Sequence, residues 1–202
     1  MIKNIIFDFG DIFINLDKEG TYKAMAALGV SKITDEMIQV YQNYEKGLMT
    51  TDAFLNFFHD KFRIPKDKLI DAWNAVLLDF PRERLGFLKK LADSKKYRLF
   101  LLSNTNDLHI KWVQDSLGDE FYNDFKSSFE QFYLSHEINF RKPDAEIYKF
   151  VLNENNLIAE ETLFVDDLKE NTDSANTLGI KTWNLMPEED DVTELFTKNE
   201  FF

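Results

Sequence analysis

Three short apolar runs in this chain each stop at a cluster of acids or small polar residues, and that repeated ending constrains the fold more than any other feature. Ile5-Ile6-Phe7 stops at Asp8, Arg98 to Leu102 at Ser103-Asn104-Thr105-Asn106, and Thr162 to Val165 at Asp166-Asp167. Runs so short and so apolar read as strands covered on both faces, as in a parallel sheet. Gln131 to Leu134 is a fourth candidate strand, and Lys181 to Asn184, just after Gly179, a fifth. Helical stretches separate them, at about 82–95, 107–117, 144–155 and 170–178. This alternation defines an α/β chain with a doubly wound, parallel, Rossmann-like sheet. Such sheets bind ligands beyond the carboxyl ends of their strands, where three of the polar clusters fall.

From about Lys18 to Phe80 the alternation breaks, because helical periodicity recurs at about 21–28, 34–45, 51–62 and 66–76 without a convincing strand. Thr50-Thr51-Asp52 and Pro65-Lys66-Asp67 have the form of helix starts. The expected organisation is a core of residues 1–17 and 81–202, with 18–80 a small helical cap inserted after the first strand. A length of 202 residues suits one full core with a modest appendage. Twenty phenylalanines and 44% apolar residues favour burial over disorder. The tail from Pro187, with Glu188-Glu189-Asp190-Asp191, reads as a solvated turn before a short helix that closes on Phe201 and Phe202.

A formal net charge of −12, with the basic residues interspersed among acids, offers no stripe for a nucleic-acid backbone and disfavours anionic membranes. The expectation is therefore no nucleic-acid or membrane partner, with the protein a monomer or weak dimer. No cysteine is present, so disulfides, thiolate metal sites and thiol nucleophiles are excluded. Met1-Ile2-Lys3-Asn4 runs directly into the first strand with no room for a cleavable signal, and no apolar run approaches the length that spans a bilayer. The expectation is a soluble, cytoplasmic protein.

Asp8, at the end of a rigid strand, stands where a nucleophile or metal ligand belongs, although by itself such an Asp could equally cap the following turn. Asp166 and Asp167 repel each other at the edge of an apolar sheet unless a proton or cation lies between them. A hard cation such as Mg²⁺ takes one or two carboxylates and leaves room for a phosphate oxygen. Asn171, four residues after Asp167, is spaced to support that site. Ser103, Asn104 and Thr105 present donors where a helix begins, an arrangement suited to an anion. Pro143 keeps the preceding Lys142 extended. Together these groups would surround one phosphoryl group with a nucleophile, a metal, donors and a fixed cation.

With these motifs in this order, the sequence resembles the haloacid dehalogenase-like hydrolase superfamily: Ile5 to Phe9 its first motif, Leu101 to Asn104 its second, Arg141-Lys142-Pro143 its third and Phe164 to Asn171 its fourth. The runs around Leu102 to Asn106, Leu134 to Glu137, Arg141 to Tyr148 and Phe164 to Asp167 are most similar to its α-glucose-1-phosphate phosphatase-like branch. The resemblance implies a magnesium-dependent phosphatase, a phosphoric monoester hydrolase acting on a small phosphorylated metabolite such as a sugar phosphate. Asp8 would attack phosphorus and become an aspartyl phosphate that water hydrolyses. It also implies Mg²⁺ held by Asp8, the Gly10 carbonyl, Asp166 and Asp167; phosphate bound by Ser103, Asn104 and Lys142; and residues 18–80 as a mobile cap that closes over the substrate.

One departure from the family stands out. Most phosphatases of the superfamily carry a general acid–base Asp two residues after the nucleophile, where this chain has Gly10, with Asp11 one position late. Without that help, leaving groups that depart easily are favoured, and a sugar anomeric phosphate is one. Two other readings compete: a metal-independent haloacid dehalogenase, in which the Asp166-Asp167 pair is poorly placed, and a non-catalytic ligand-binding or regulatory protein on the same fold. In the cap, Glu45 and Lys46 before Gly47 could face a sugar or simply end a solvated helix. His109 and His136 read as a helix-surface residue and a loop residue, and Met25, Met37 and Met49 as packing.

Overall fold

The computed structural model describes residues 1–202. Chain order begins with β1 (Asn4–Phe7), then four helices, α1 (Gly20–Ala27), α2 (Asp35–Glu45), α3 (Thr51–Phe62) and α4 (Lys66–Asn74). It continues through α5 (Arg82–Asp93), β2 (Arg98–Ser103), α6 (Asp107–Leu117), α7 (Asp119–Ser127), β3 (Gln131–Leu134) and α8 (Ser135–Ile138). Last come α9 (Ala145–Glu154), β4 (Thr162–Asp166), α10 (Lys169–Asn176), β5 (Lys181–Asn184) and α11 (Leu195–Lys198). No helix is long and apolar enough to cross a membrane.

The five strands form one sheet in the order β3-β2-β1-β4-β5, every pair parallel. Phe7 lies opposite Leu101 on one side and Val165 on the other, so the next step along β1 and β4 sets Asp8 beside Asp166. Alternate residues of the central strands enter opposite cores: Ile5, Phe7, Leu99, Leu101, Leu163 and Val165 one, Ile6, Phe100, Leu102 and Phe164 the other. That double burial is why these strands read as unbroken apolar runs. The first core is aromatic, with the Phe13 and Phe125 centroids 5.1 Å apart and Phe9 stacked on Phe125. The second packs Ile147, Tyr148 and Val151 of α9 and Ala175 of α10.

Helices α1–α4 enclose a separate apolar cluster that contains Met25, Met37, Phe54, Phe58 and Leu69, and Leu108 of α6 joins it. Two of the four have side-chain caps: Thr34 accepts from the Met37 N–H at the start of α2 and Thr50 from the Ala53 N–H at the start of α3. The first core also holds α7, which the sequence reading lacks. Gly118, at φ +79°, separates it from α6, and Tyr122 and Phe125 anchor it. In the tail, Asp191 caps a 3₁₀ turn and pairs with Arg84 at 2.9 Å, so the acidic run is tied to the core at one point rather than wholly solvated. Phe202 packs on Tyr97 and Phe196.

Candidate active site

Three carboxylates converge beyond the carboxyl ends of β1 and β4. One oxygen each from Asp8, Asp166 and Asp167 lies within 4.8 Å of the others. Lys142 Nζ sits among them, 2.7 Å from Asp8 Oδ1 and 2.7 Å from Asp166 Oδ2, and also donates to the Leu102 carbonyl at 2.8 Å. Lys142 is 1% exposed and Asp166 is fully buried, so water screens neither. Burial raises the Asp8 carboxyl and, with Asp166 and Asp167 beside it, outweighs Lys142, leaving it pushed up to about 7. Burial works against the Lys142 charge, yet Asp166 and Asp8 hold it above the ordinary lysine range.

The surrounding donors fix Asp166. Asn171 Nδ2 reaches its two oxygens at 2.9 and 3.1 Å, and the Leu168 N–H donates at 2.8 Å. Asn171 Oδ1 is left buried with no partner. Three crowded carboxylates and an orphaned amide oxygen nearby make up a donor set that suits a hard divalent cation.

Asn104 clamps the Lys142 main chain from both sides, its Nδ2 on the Lys142 carbonyl and its Oδ1 on the Lys142 N–H, each at 2.8 Å. The peptide between Lys142 and Pro143 is cis. With the Asn104 side chain so engaged, only its backbone remains to serve an anion. The Thr105 N–H is likewise taken, by Ser135 Oγ at 2.9 Å, so the donor cluster is narrower than its residue types suggest. Ser103, 3% exposed, closes β2 beside this loop.

Where the sequence departs from the family, Leu16 stands in the gap. A Cβ added at Gly10 would lie 2.7 Å from Leu16 Cδ1 and 3.9 Å from Asp8 Oδ2, so a side chain there would point toward Asp8 and meet Leu16 first. Asp11, in a left-handed conformation at φ 54°, is turned to its own loop: Oδ1 accepts from the Leu16 N–H at 2.9 Å and Oδ2 pairs with Lys18 at 3.1 Å. Lys18 also pairs with Asp167 at 2.6 Å, a contact across 149 residues that no local motif announces.

Glu45 and Lys46 face the core. Glu45 is 3% exposed, takes the Tyr41 hydroxyl, and pairs with Arg141 at 3.0 Å, while Lys46 pairs with Asp144 at 2.8 Å. A solvated helix end is therefore the wrong description. Two histidine readings also need correction: His109 is partly covered against Trp73, its Nε2 on the Trp73 carbonyl at 3.2 Å, and His136 belongs to α8. Lys18, Arg141, Ser135 and Leu16 are the site residues that sequence reasoning missed.

Comparison with known proteins gives a consistent answer. Residues 5–185 match the model of the haloacid dehalogenase-like hydrolases. A D-ribitol-5-phosphate phosphatase from Bacteroides thetaiotaomicron is 28% identical over 193 residues, which is 91% of each chain. A HAD family enzyme of that organism, crystallised with magnesium and inorganic phosphate, is 35% identical, with a TM-score of 0.84 over 97% of this chain and 100% of its own. A predicted HAD-like hydrolase from Porphyromonas gingivalis is 29% identical, with a TM-score of 0.76 over 91% of this chain and 90% of its own.

Proposed function

The chain belongs to the haloacid dehalogenase-like hydrolases, and from that premise we propose that it is a magnesium-dependent phosphatase that cleaves a phosphorylated sugar or polyol through a covalent phosphate on Asp8. The observation that carries this reading is the meeting of Asp8, Asp166 and Asp167 within 4.8 Å around a buried lysine. The D-ribitol-5-phosphate phosphatase and the magnesium- and phosphate-bound neighbour support the reaction class, the metal and the kind of substrate.

Asp8, the Gly10 carbonyl, Asp166 and Asp167 would hold Mg²⁺, which when bound supplies positive charge to the phosphoryl oxygens. Asp8 Oδ2, free of Lys142, is the oxygen that attacks phosphorus as the ester oxygen departs; water then attacks the aspartyl phosphate and returns Asp8 as a carboxylate. Lys142 neutralises both the nucleophile and the phosphate, its position set by Asn104. Ser103 and the Asn104 backbone hold the phosphoryl oxygens. Because Leu16 occupies the direction in which a general acid would project, the leaving group receives its proton from water, which favours less basic leaving groups. Residues 18–80 act as the cap, seated on the core through Glu45–Arg141 and Lys46–Asp144.

Assay of the purified protein against sugar and polyol phosphates with Mg²⁺ tests the reading. Phosphate release that EDTA and Asp8→Asn both abolish is expected. Halide release from a 2-haloacid without metal would support the dehalogenase alternative instead. Ligand binding with equal inertness of wild type and Asp8→Asn would support a non-catalytic role.

A further inference from the structure

A chamber of about 330 Å³ lies between α1, α2, α3 and α4 on the cap side and α6 below, walled mainly by Met25, Met37, Tyr41, Phe58 and Trp73. That volume falls in the range of small-molecule pockets. Tyr22, Ile33 and Ile38 at its rim are 52%, 44% and 43% exposed, so it opens to solvent.

Three of its lining residues each lead to a different part of the catalytic cluster. Lys18 reaches Asp167 at 2.6 Å. His109 is one turn into α6, directly after the Ser103–Asn106 loop, and its Nδ1 lies 3.3 Å from Asn106 Nδ2. The Tyr41 hydroxyl donates to Glu45, which grips Arg141 next to Lys142. Lys18 is thus shared between the chamber and the carboxylate cluster, and the other two side chains tie its walls to the segments that carry Asn104 and Lys142.

Its polar lining is already committed. Thr21 Oγ1 donates to the Trp73 carbonyl at 2.8 Å, His109 Nε2 lies 3.2 Å from that same oxygen, Tyr41 is held by Glu45, and Lys18 by Asp11 and Asp167. The exception is the Trp73 indole N–H, buried and unpartnered. Apart from that indole, a fully hydroxylated chain drawn in would meet few free donors and a mostly apolar wall, so much of its hydration would go unreplaced, whereas an aromatic ring or hydrocarbon would lose little.

We propose that the chamber receives an apolar substituent of the substrate, so that the preferred ester is a sugar or polyol phosphate carrying an aromatic or hydrocarbon group at the end remote from its phosphate. This rests on the phosphatase reading above.

The test compares kcat/KM for ribitol 5-phosphate and its 1-deoxy-1-phenylamino derivative, with acetyl phosphate as a probe of the catalytic centre alone. The phenyl-bearing ester is expected to be better by about 10–100-fold, the span a hydrophobic pocket commands. Ile38→Glu, at the exposed rim, should cut that preference at least tenfold, and the dephosphorylated phenyl product should bind wild type with a negative heat-capacity change. Equal or poorer turnover of the phenyl ester, with acetyl phosphate still hydrolysed, overturns the inference while leaving the phosphatase reading intact. Failure to release phosphate with Mg²⁺ from acetyl phosphate and from both polyol esters overturns the phosphatase reading first and this inference with it.

Discussion

Lys142 Nζ and Asp8 Oδ1 are 2.7 Å apart in a space where the lysine is 1% exposed, although 134 residues separate the two in the chain. Lys142 also pairs with Asp166, so a single ammonium keeps two buried carboxylates from confronting each other.

Lys142→Ala removes that charge and should lower kcat by about 10²–10³ or more, as loss of a preorganised charge at a phosphoryl group does. Breaking a buried pair from one side also costs roughly 3–5 kcal/mol of stability. Mg²⁺ should recover part of this loss by taking the place of the missing positive charge. Thermal melts with EDTA and with Mg²⁺ measure it; a metal response no larger than that of wild type would show that Lys142 and the cation do not share the same carboxylates.

In Gly10→Asp the new Cβ would come within 2.7 Å of Leu16 Cδ1, the mobile end of that side chain, so Leu16 must turn aside at a small cost in melting temperature. Adding Leu16→Ala clears that space for the new carboxyl, at the expense of the packing of Leu16 on the core. If the new carboxyl reaches the leaving oxygen, the double variant gains on esters of poor leaving groups, by up to about 10² within the range of general acid help. Rates on alkyl phosphates of graded leaving-group basicity check it: the dependence on basicity should flatten in the double variant.

Gly47 has φ +65°, and a Cβ there would lie 1.9 Å from the His136 carbonyl oxygen. Gly47→Ala should therefore push α2 off the loop that leads to Arg141 and Lys142, raising KM and costing about 1–3 kcal/mol. Glu45 and Arg141 span the same seam, and a double-mutant cycle between them should give a coupling of about 1–3 kcal/mol. Additive losses would mean that the pair contributes nothing to holding α2 against Arg141.

Burial pushes the His109 imidazole down to about 4, below its ordinary 6.5. A base held below its unfolded value favours folding above pH 6.5, and that contribution drains away as pH falls from 6.5 through 4. Because the ring keeps some exposure, the loss is on the order of 2 kcal/mol. Denaturant unfolding at pH 7 and pH 4.5 measures the slope, and His109→Gln should make it shallower.

The sheet was legible because double burial leaves an apolar run with a polar stop, and Ile5–Phe7, Leu99–Leu102 and Leu163–Val165 are such runs. Asp8, Lys142 and Asp166 stand at those stops or beside a proline, so their meeting could be anticipated once parallel strands were assumed. Asn104 could be singled out but not its task, since nothing local says that its amide faces the Lys142 main chain. Lys18 had no signal at all: its bond to Asp167 exists only because the loop after β1 folds back across the end of β4. α7 escaped notice, although the helix before it reads as ending at Leu117, because its nine residues bury only Tyr122 and Phe125, too few apolar positions to show a helical period.

The central claim is that Asp8 itself carries the phosphate. Turnover with a phosphorylated polyol and Mg²⁺, quenched rapidly and reduced with borohydride, converts an aspartyl phosphate to homoserine, which peptide mass spectrometry locates. Homoserine is expected at position 8 and at no other aspartate, and is absent when substrate or Mg²⁺ is omitted. Sustained turnover by Asp8→Asn, or homoserine at another aspartate instead of position 8, would contradict it.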